Sequence, residues 1–543
     1  MKSVWIAAVV AWLVLVLPAG MSPAGESAPP ALRVEGYGFE VTKLAEDARA
    51  YGNRGYVWKD VPEALRGWQF TRTNGGDLAR MDAIAGADGV VHIATADKQK
   101  GIDLTGWEKV DGWEFYYTDG GKTRMQVYRR SAKAAQKLPI PQGNWTGGIV
   151  LAPRIVAAPM DRKADLSLVP GVVVHHSAAM SGLYIGSPGI AVLDDGAYLA
   201  KCDLFGPKSK EHDSAITLVF RSEDKGASWK QAARIDGLFW SNIFSHRGKA
   251  YQIGTQKHHG RLVILRSDDG GRTWTAPADA DSGLLVDSGE YHTAPMPMLV
   301  HNGRLWRAME DASGGKLWGL RYMPMVISAP LEADLLKRSS WTLSNALHGD
   351  VKWLDGQWGG WLEGNAVLTP EGHVVDILRV QTRAGGKAAI VRISDDGKSA
   401  SFDPARDHID FPGGAKKFTI RYDERTKRYW SLTNPVPPIF AKDTAGGTRN
   451  TLGLVSSADL RTWRVHCLLL HHPDRSKHGF QYPDWLFDGE DLIAAIRTGY
   501  DDGLGGAHNA HDANFLTFHR FKDFRKLTMA ESCIDPAKLG MKP

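Results

Sequence analysis

The stretch that decides the fold reads Ser222-Glu-Asp-Lys-Gly-Ala-Ser-Trp229, and it returns as Ser267-Asp-Asp-Gly-Gly-Arg-Thr-Trp274. In each copy an Asp side chain is suited to cap a tight hairpin turn, Gly to supply a positive φ, and Trp to pack the turn onto its own sheet. Two weaker copies follow: Ser394-Asp-Asp-Gly397 lacks the Trp, and Ser457-Ala-Asp-Leu-Arg-Thr-Trp463 lacks the Gly. Loops of this make hold a fold together and carry no catalytic group. They are a strong sign of architecture and a weak sign of function.

Outward from these loops the chain repeats. A unit opens with a strand aimed at a common centre, turns on Gly and Asp, and adds a second and a third strand before the loop. The unit starts are Tyr184, Gly237, Gly289, Gly360, Gly414 and Gly479. Their turns are Asp195-Gly196, Arg247-Gly248, Asn302-Gly303, Glu371-Gly372, Asp423–Lys427 and Asp488-Gly489. Six units of roughly 56 residues suit four-stranded blades with long loops. The expectation is an all-β chain with a six-bladed β-propeller over 166–543. Helical periodicity is confined to brief stretches such as Ala329–Ser339.

Residues 29–165 read differently, as a small β-rich, sandwich-like domain. Strand-like pieces are Trp68–Arg72, Gly89–Thr95, Trp113–Tyr117 and Met125–Arg129, separated by turn pairs such as Asn74-Gly75 and Asp119-Gly120. Its tryptophans, Trp68, Trp107, Trp113 and Trp145, are expected in its core rather than stacked on sugars.

Residues 1–28 read as an export signal. Lys2 precedes an apolar run from Val4 to Leu17, and small and helix-breaking residues follow from Pro18 to Ala28. That run is short for a membrane span. The expectation is a secreted or periplasmic protein with no stable membrane insertion once the signal is removed. The three cysteines, Cys202, Cys467 and Cys533, allow at most one disulfide and no paired-cysteine zinc site. A net charge of +5 without a basic block gives nucleic-acid binding no support.

With loops and unit order in place, the chain resembles the sialidase superfamily over Tyr184–Arg520. That family holds a substrate carboxylate with an arginine triad, attacks with a tyrosine paired to a glutamate, and uses an aspartate as acid/base. Leu362-Glu363-Gly364-Asn365 and the returning strand to Leu378-Arg379 match the family's layout, so the resemblance implies Glu363 as the tyrosine's partner and Arg379 as a triad arginine. Arg449-Asn450-Thr451-Leu452 resembles the strand of the third arginine, and Gly479-Phe480-Gln481-Tyr482 the place of the nucleophile. Asp203 and Asp213 both stand in the loop where the family places its acid/base. The chain departs at the first arginine: Tyr184-Ile185-Gly186-Ser187-Pro188 has Gly186 there. Arg421 and Arg497 are the candidates to replace it.

The chemistry suits that set. A phenol with an ordinary pKa near 10 needs a base to become a nucleophile, and its neutrality suits an anomeric carbon bearing a carboxylate. Guanidinium groups clamp the anion. His292, Arg497 and His511 are further candidates for substrate contact. His175, His176, Tyr291, Glu310 and His508 through Asp512 are polar groups on the expected central face. No defined metal motif is present, and neither a metal nor another cofactor is expected.

The function expected is an exo-acting, sialidase-like glycoside hydrolase that releases a terminal acidic sugar from a glycan or polysaccharide by a retaining Tyr482/Glu363 mechanism. Two rivals stand beside it. One is a polysaccharide lyase acting on uronates with a His or Tyr base; the other is a carbohydrate-binding propeller without turnover.

Overall fold

The structure is a computed structural model that describes residues 31–76, 79–96, 101–159 and 164–541. The expected export signal, residues 1–28, lies outside them. The chain divides into two compact units, 1–160 and 161–543.

The first unit is built from a four-stranded and a seven-stranded sheet. Alternation of apolar and polar residues, as in Leu32–Tyr37, gives each strand one buried face. Val34, Met81 and Ala83 of the smaller sheet pack against Val91, Ile93 and Val150 of the larger. A second layer on the larger sheet gathers Trp58, Phe70, Phe115 and Tyr117. Trp107 is buried in the first core, while Trp68, Trp113 and Trp145 are half-buried against the second.

The second unit is a β-propeller whose described residues contain six antiparallel sheets of four or five strands. Numbered along the chain, their inner strands are Tyr184–Ile185 with Gly189–Val192, Phe239–His246, Tyr291–His292 with Leu299–His301, Trp361–Leu368, Thr419–Asp423 and Gly479–Asp488. Each sheet touches the next near the centre, and Gly479–Asp488 of the sixth returns to Gly189–Val192 of the first. The outermost strand of the sixth sheet is Val172–His176, drawn from the start of the unit to pair with Phe515–Phe521. Strands from both ends of the unit therefore close the ring.

That closure corrects one expectation. His175 and His176 lie on this outermost strand and not on the central face; His176 Nε2 is 2.9 Å from Asp502 Oδ2. The stretch Ala329–Ser339 is not an α-helix either, and only its end enters a single 3-10 turn, Arg338–Ser340. It ends the strand Met323–Pro330 and turns through Leu335 and Leu336, which are buried in the core between sheets two and three.

The repeated loops have the expected internal bonding and an unexpected seat. Asp224 Oδ1 accepts from Ser228 N at 2.9 Å, and Trp229 Nε1 donates to Gly226 O at 3.2 Å. Asp269 and Trp274 repeat both bonds. In the fourth copy Asp459 does the same, and Leu460 takes the glycine's place at φ +63°. The tryptophans do not pack onto their own sheet alone. Trp229 of sheet one lies 5.5 Å from the Phe518 ring of sheet six, and Trp274 of sheet two joins a core containing Leu199 of sheet one. A Cβ on Gly226 would stand 2.2 Å from Phe518, and one on Gly271 2.9 Å from Leu199. Each loop thus seals the joint with the preceding sheet, so the glycine is needed for close approach as well as for its φ.

Candidate active site

Three inner strands carry the same irregularity. Pairing skips a residue between Phe239 and Asn242, between Leu362 and Asn365, and between Gln481 and Asp484. The bulged residues are Trp240, Glu363 and Tyr482, with φ of +50°, +61° and +55°. A left-handed conformation costs a non-glycine residue about 1–2 kcal/mol. Here it re-aims the side chain that would otherwise follow the strand's alternation. All three stand three residues after a unit's opening glycine, at Gly237, Gly360 and Gly479. The same spacing gives His292 after Gly289 and Lys417 after Gly414. That Gly-x-x-Z register is the signal in the sequence that identifies Trp240, a central residue the motif reading passed over.

Each bulge is held by a buried polar side chain of the preceding sheet. Asp203 Oδ2 accepts from Trp240 N at 2.7 Å. Glu310 Oε1 accepts from Gly364 N at 3.1 Å. Lys417 Nζ and Thr419 Oγ1 donate to Pro483 O at 2.6 and 2.8 Å.

Around Tyr482 the fold gathers three guanidinium groups. Arg497 lies over its ring at 4.9 Å and Arg449 at 5.9 Å, within cation–π range. Arg379 Nη1 is 2.9 Å from Glu363 Oε2, though out of line for a good hydrogen bond. Burial disfavours the charge on Arg379, but Glu363 and then the Tyr482 phenol outweigh it and raise its pKa. Among the described residues Tyr482 and Glu363 share no direct hydrogen bond; Arg379 joins them. Arg449 Nη1 donates to Gln481 Oε1 at 2.6 Å, and Gln481 Nε2 donates to His511 O at 3.1 Å. Arg497 Nε donates to that same carbonyl at 3.0 Å. Burial lowers the pKa of Arg449 to about 10 and depresses that of Arg497. Lys416, buried and pushed well below its ordinary pKa by burial, donates to Ala445 O and Thr448 O and so fixes the segment that leads to Arg449.

Of the two candidates to replace the missing first arginine, Arg497 is the one beside Tyr482. Arg421 lies over the Trp485 ring at 5.8 Å and 3.5 Å from Asp484. Gly186 lies beside Asp203 and Phe205, where a Cβ would meet them at 3.3 and 3.4 Å. Phe205 in turn stacks under Arg497 at 4.6 Å.

The other expected residues divide. His292 is buried; its Nδ1 is 2.7 Å from Glu310 Oε2, and its ring is 4.4 Å from Trp240 and 4.6 Å from Tyr322. Burial pushes His292 down to about 3 and Glu310 up to about 7. His511 is half-exposed with Nδ1 2.7 Å from Asp512, and its backbone serves Arg497. Asp203 is fully buried. Besides Trp240 N it holds Lys201 Nζ at 2.9 Å and Thr217 Oγ1 at 2.7 Å, so it sits beneath the bulge of sheet two. Asp213 is exposed on the loop after sheet one's second strand and lines a different cavity, with His259 and Arg261.

A cavity of about 540 Å³ opens beside the cluster, lined by Arg379, Arg449, Arg383, Trp318, Gln357 and Thr444 among others. Tyr482 is not one of its walls; Arg379 and Arg449 connect the two. Trp318, about half exposed, stands edge-on to Tyr322 at 5.0 Å and offers a face for an apolar surface such as that of a sugar ring. Two buried arginines and a third, exposed one give this cavity a positively charged lining.

No protein-family model matches the chain, and no curated protein matches it significantly. Among solved structures, a Hadza microbial sialidase is similar at 13% identity, covering 91% of this chain and 100% of that one with a TM-score of 0.45. An α-L-arabinofuranosidase of Fusarium graminearum bound to arabinobiose covers 67% of this chain and 99% of that one at 11% identity and TM-score 0.43. A Trypanosoma rangeli sialidase in complex with sialic acid covers 62% and 54% at 14% identity and TM-score 0.41. The fold rests on the sheet topology described above and not on these likenesses.

Proposed function

We propose that this chain is an exported, exo-acting glycoside hydrolase of the sialidase-like kind, releasing a terminal acidic sugar from a glycan or polysaccharide. The observation that carries the reading is the strained Tyr482, bracketed by Arg497 and Arg449 and linked through Arg379 to Glu363. As Arg379 turns to the substrate's anionic group with the other arginines, Glu363 is left to take the phenol proton. Covalent attack by Tyr482 followed by water gives retention. His511, half-exposed beside Arg497, is the further candidate for substrate contact, whereas His292 is buried and reaches the site through Trp240.

For the acid/base, Asp203 would have to release the Trp240 amide, whereas Asp213 is exposed but lines a different cavity. Asp213→Asn and Asp203→Asn separate the two, since only loss of the true acid is rescued on substrates with an activated leaving group. The decisive experiment is a screen of terminal sialic, ketodeoxy and uronic acid glycosides with wild type and Tyr482→Phe. Hydrolysis by wild type and its loss in Tyr482→Phe support the proposal; full activity in Tyr482→Phe sinks it.

A second reading is favoured by one observation, the buried His292–Glu310 dyad beside Glu363 and Trp240. A neutral imidazole oriented by a carboxylate is suited to abstract a proton α to a uronate carboxylate that an arginine neutralises. That reading is a lyase, and its product absorbs in the ultraviolet. A carbohydrate-binding propeller would instead retain ligand affinity in Tyr482→Phe and turn over nothing in the screen.

A further inference from the structure

A second cluster of chemically capable side chains sits at the joint of sheets one and two. Glu211 and His212 belong to the loop after sheet one's second strand, and His258 to the turn after sheet two's second strand. The two segments are tied by His258 N donating to Glu211 O at 2.7 Å. The His258 ring lies 4.5 Å from that of Trp240, which places the cluster next to one of the bulged central residues.

The carboxylate of Glu211 is divided in its duties. Oε2 accepts from Gly206 N and Ser209 Oγ, each at 2.9 Å, which fixes its plane. Oε1 is left facing two imidazoles, His258 Nδ1 at 3.2 Å and His212 Nε2 at 3.6 Å. All three donor atoms lie within 4.8 Å of one another. Tetrahedral zinc bonds its nitrogen and oxygen ligands at about 2.0–2.1 Å, which puts neighbouring ligand atoms about 3.3–3.4 Å apart. Both measured separations from Oε1 bracket that edge. A plain Glu211–His258 hydrogen bond accounts for one imidazole. The second converges on the same oxygen from a side chain that is 72% exposed, its ring 4.5 Å from that of His258 and tilted by 32°. Hydrogen bonds to the non-ligating oxygen are the usual outer support of a metal carboxylate.

We infer that Glu211, His212 and His258 form a binding site for a divalent transition ion, zinc by its donor set, with one coordination position left for water or a sugar hydroxyl. Two imidazoles and one carboxylate with an open fourth place are the ligand count of an accessible zinc site rather than a closed structural one. The ion would clamp the loops of sheets one and two beside Trp240, and it would bind whether or not Tyr482 is a nucleophile.

The competing cluster, His472, Asp474 and His478, is built differently. Its imidazoles are stacked face to face, 3.5 Å apart at 15°, although its ligand atoms also lie within 4.8 Å of one another. His478 Nδ1 is bound to Asp474 Oδ2 at 2.7 Å, and His472 Nδ1 accepts from Asp474 N at 3.1 Å. That cluster serves as the internal control.

The test uses the full chain, stripped with a chelator and titrated with zinc by calorimetry, and with cobalt to read the visible absorption of a tetrahedral ion. One equivalent is expected. His212→Ala, an exposed substitution with no folding role, should weaken it by at least about 10-fold, the lower end of what even outer supports of a metal cost. Glu211→Gln should do the same, and His478→Ala should change nothing. Circular dichroism confirms that His212→Ala is folded, so this variant decides even where Glu211→Gln does not fold. Absence of stoichiometric binding by wild type, unchanged affinity in His212→Ala, or loss of binding in His478→Ala would each overturn the assignment.

Discussion

At Tyr482 a phenol, a left-handed backbone and two overlying guanidinium groups meet in one residue. Tyr482→Phe removes only the oxygen, so the fold should persist while kcat falls by about 10³-fold or more; an intact melting curve with normal turnover would contradict the nucleophile's role. Arg449→Lys keeps the charge and loses the planar fork that reaches both Gln481 and an anion. It should raise KM for an acidic substrate by about 10–100-fold with a smaller effect on kcat, read from steady-state kinetics on any substrate found. Glu310 supplies a pH signature. Its folded pKa of about 7 stands above the ordinary 4.5 because burial disfavours the anion. Its contribution to stability is therefore full below pH 4.5 and lost as pH rises through 7, by up to about 3 kcal/mol. His292, depressed to about 3, has the opposite sign, with stability present above pH 6.5 and lost as pH falls. Urea unfolding at pH 5 and pH 8 should show a smaller loss toward pH 8 in Glu310→Gln than in wild type; equal losses would refute the assignment. The residues themselves were legible only in part. Tyr482, Glu363, Arg379 and Arg449 follow from motif order, while the vacancy at Gly186 leaves Arg421 and Arg497 equally open. The ties on Asp203 were not legible, because burial depends on Lys201, Thr217 and Trp240 arriving from three strands at once.

The irregular strand is the element that makes this site. Regular alternation would send Glu363 and Tyr482 along the direction of their strands; one extra residue in each redirects them. The redirection is held from outside, by a side chain of the preceding sheet, so a bulge is a property of two sheets. Gly364 shows how tight the arrangement is. A Cβ there would stand 2.0 Å from Asp376 Oδ1, in a region where Asp376 is fully buried with neither oxygen hydrogen-bonded among the described residues. Gly364→Ala should destabilise the protein by about 1–3 kcal/mol and misplace Glu363, visible as a lowered unfolding midpoint together with reduced activity. Normal stability would mean that the bulge relaxes freely. A pattern of opening glycines reveals where these strands begin, and the Gly-x-x-Z spacing even picks out the redirected residue. The bulge itself leaves no mark in composition, since Trp, Glu and Tyr are unexceptional in a strand; what selects it is hydrogen bonding across sheets distant in sequence.

As a whole the ring is closed by Val172–His176 lying against Phe515–Phe521. A chain beginning at residue 164 should keep cooperative unfolding of the propeller. One beginning at Tyr184 leaves that strand's edge bare and should lose about 3 kcal/mol or more and aggregate, as measured by denaturant unfolding and light scattering; equal stability of the two would mean that the ring closes without it. The repeat gave this architecture away through its turns and loops, and most inner strands begin within a few residues of the expected starts. The closing strand was missed because nothing local distinguishes Val172–His176 from any other short apolar run; its partner lies some three hundred residues downstream. The ties between sheets also have a direction. Asp203 precedes Trp240, Glu310 precedes Gly364, and Lys417 and Thr419 precede Pro483. A chain leaving the ribosome therefore always has the holding group made before the bulge that needs it. The geometry of the candidate site can be templated during synthesis, one blade upon the last, while the final seal waits for Phe515–Phe521 to find Val172–His176.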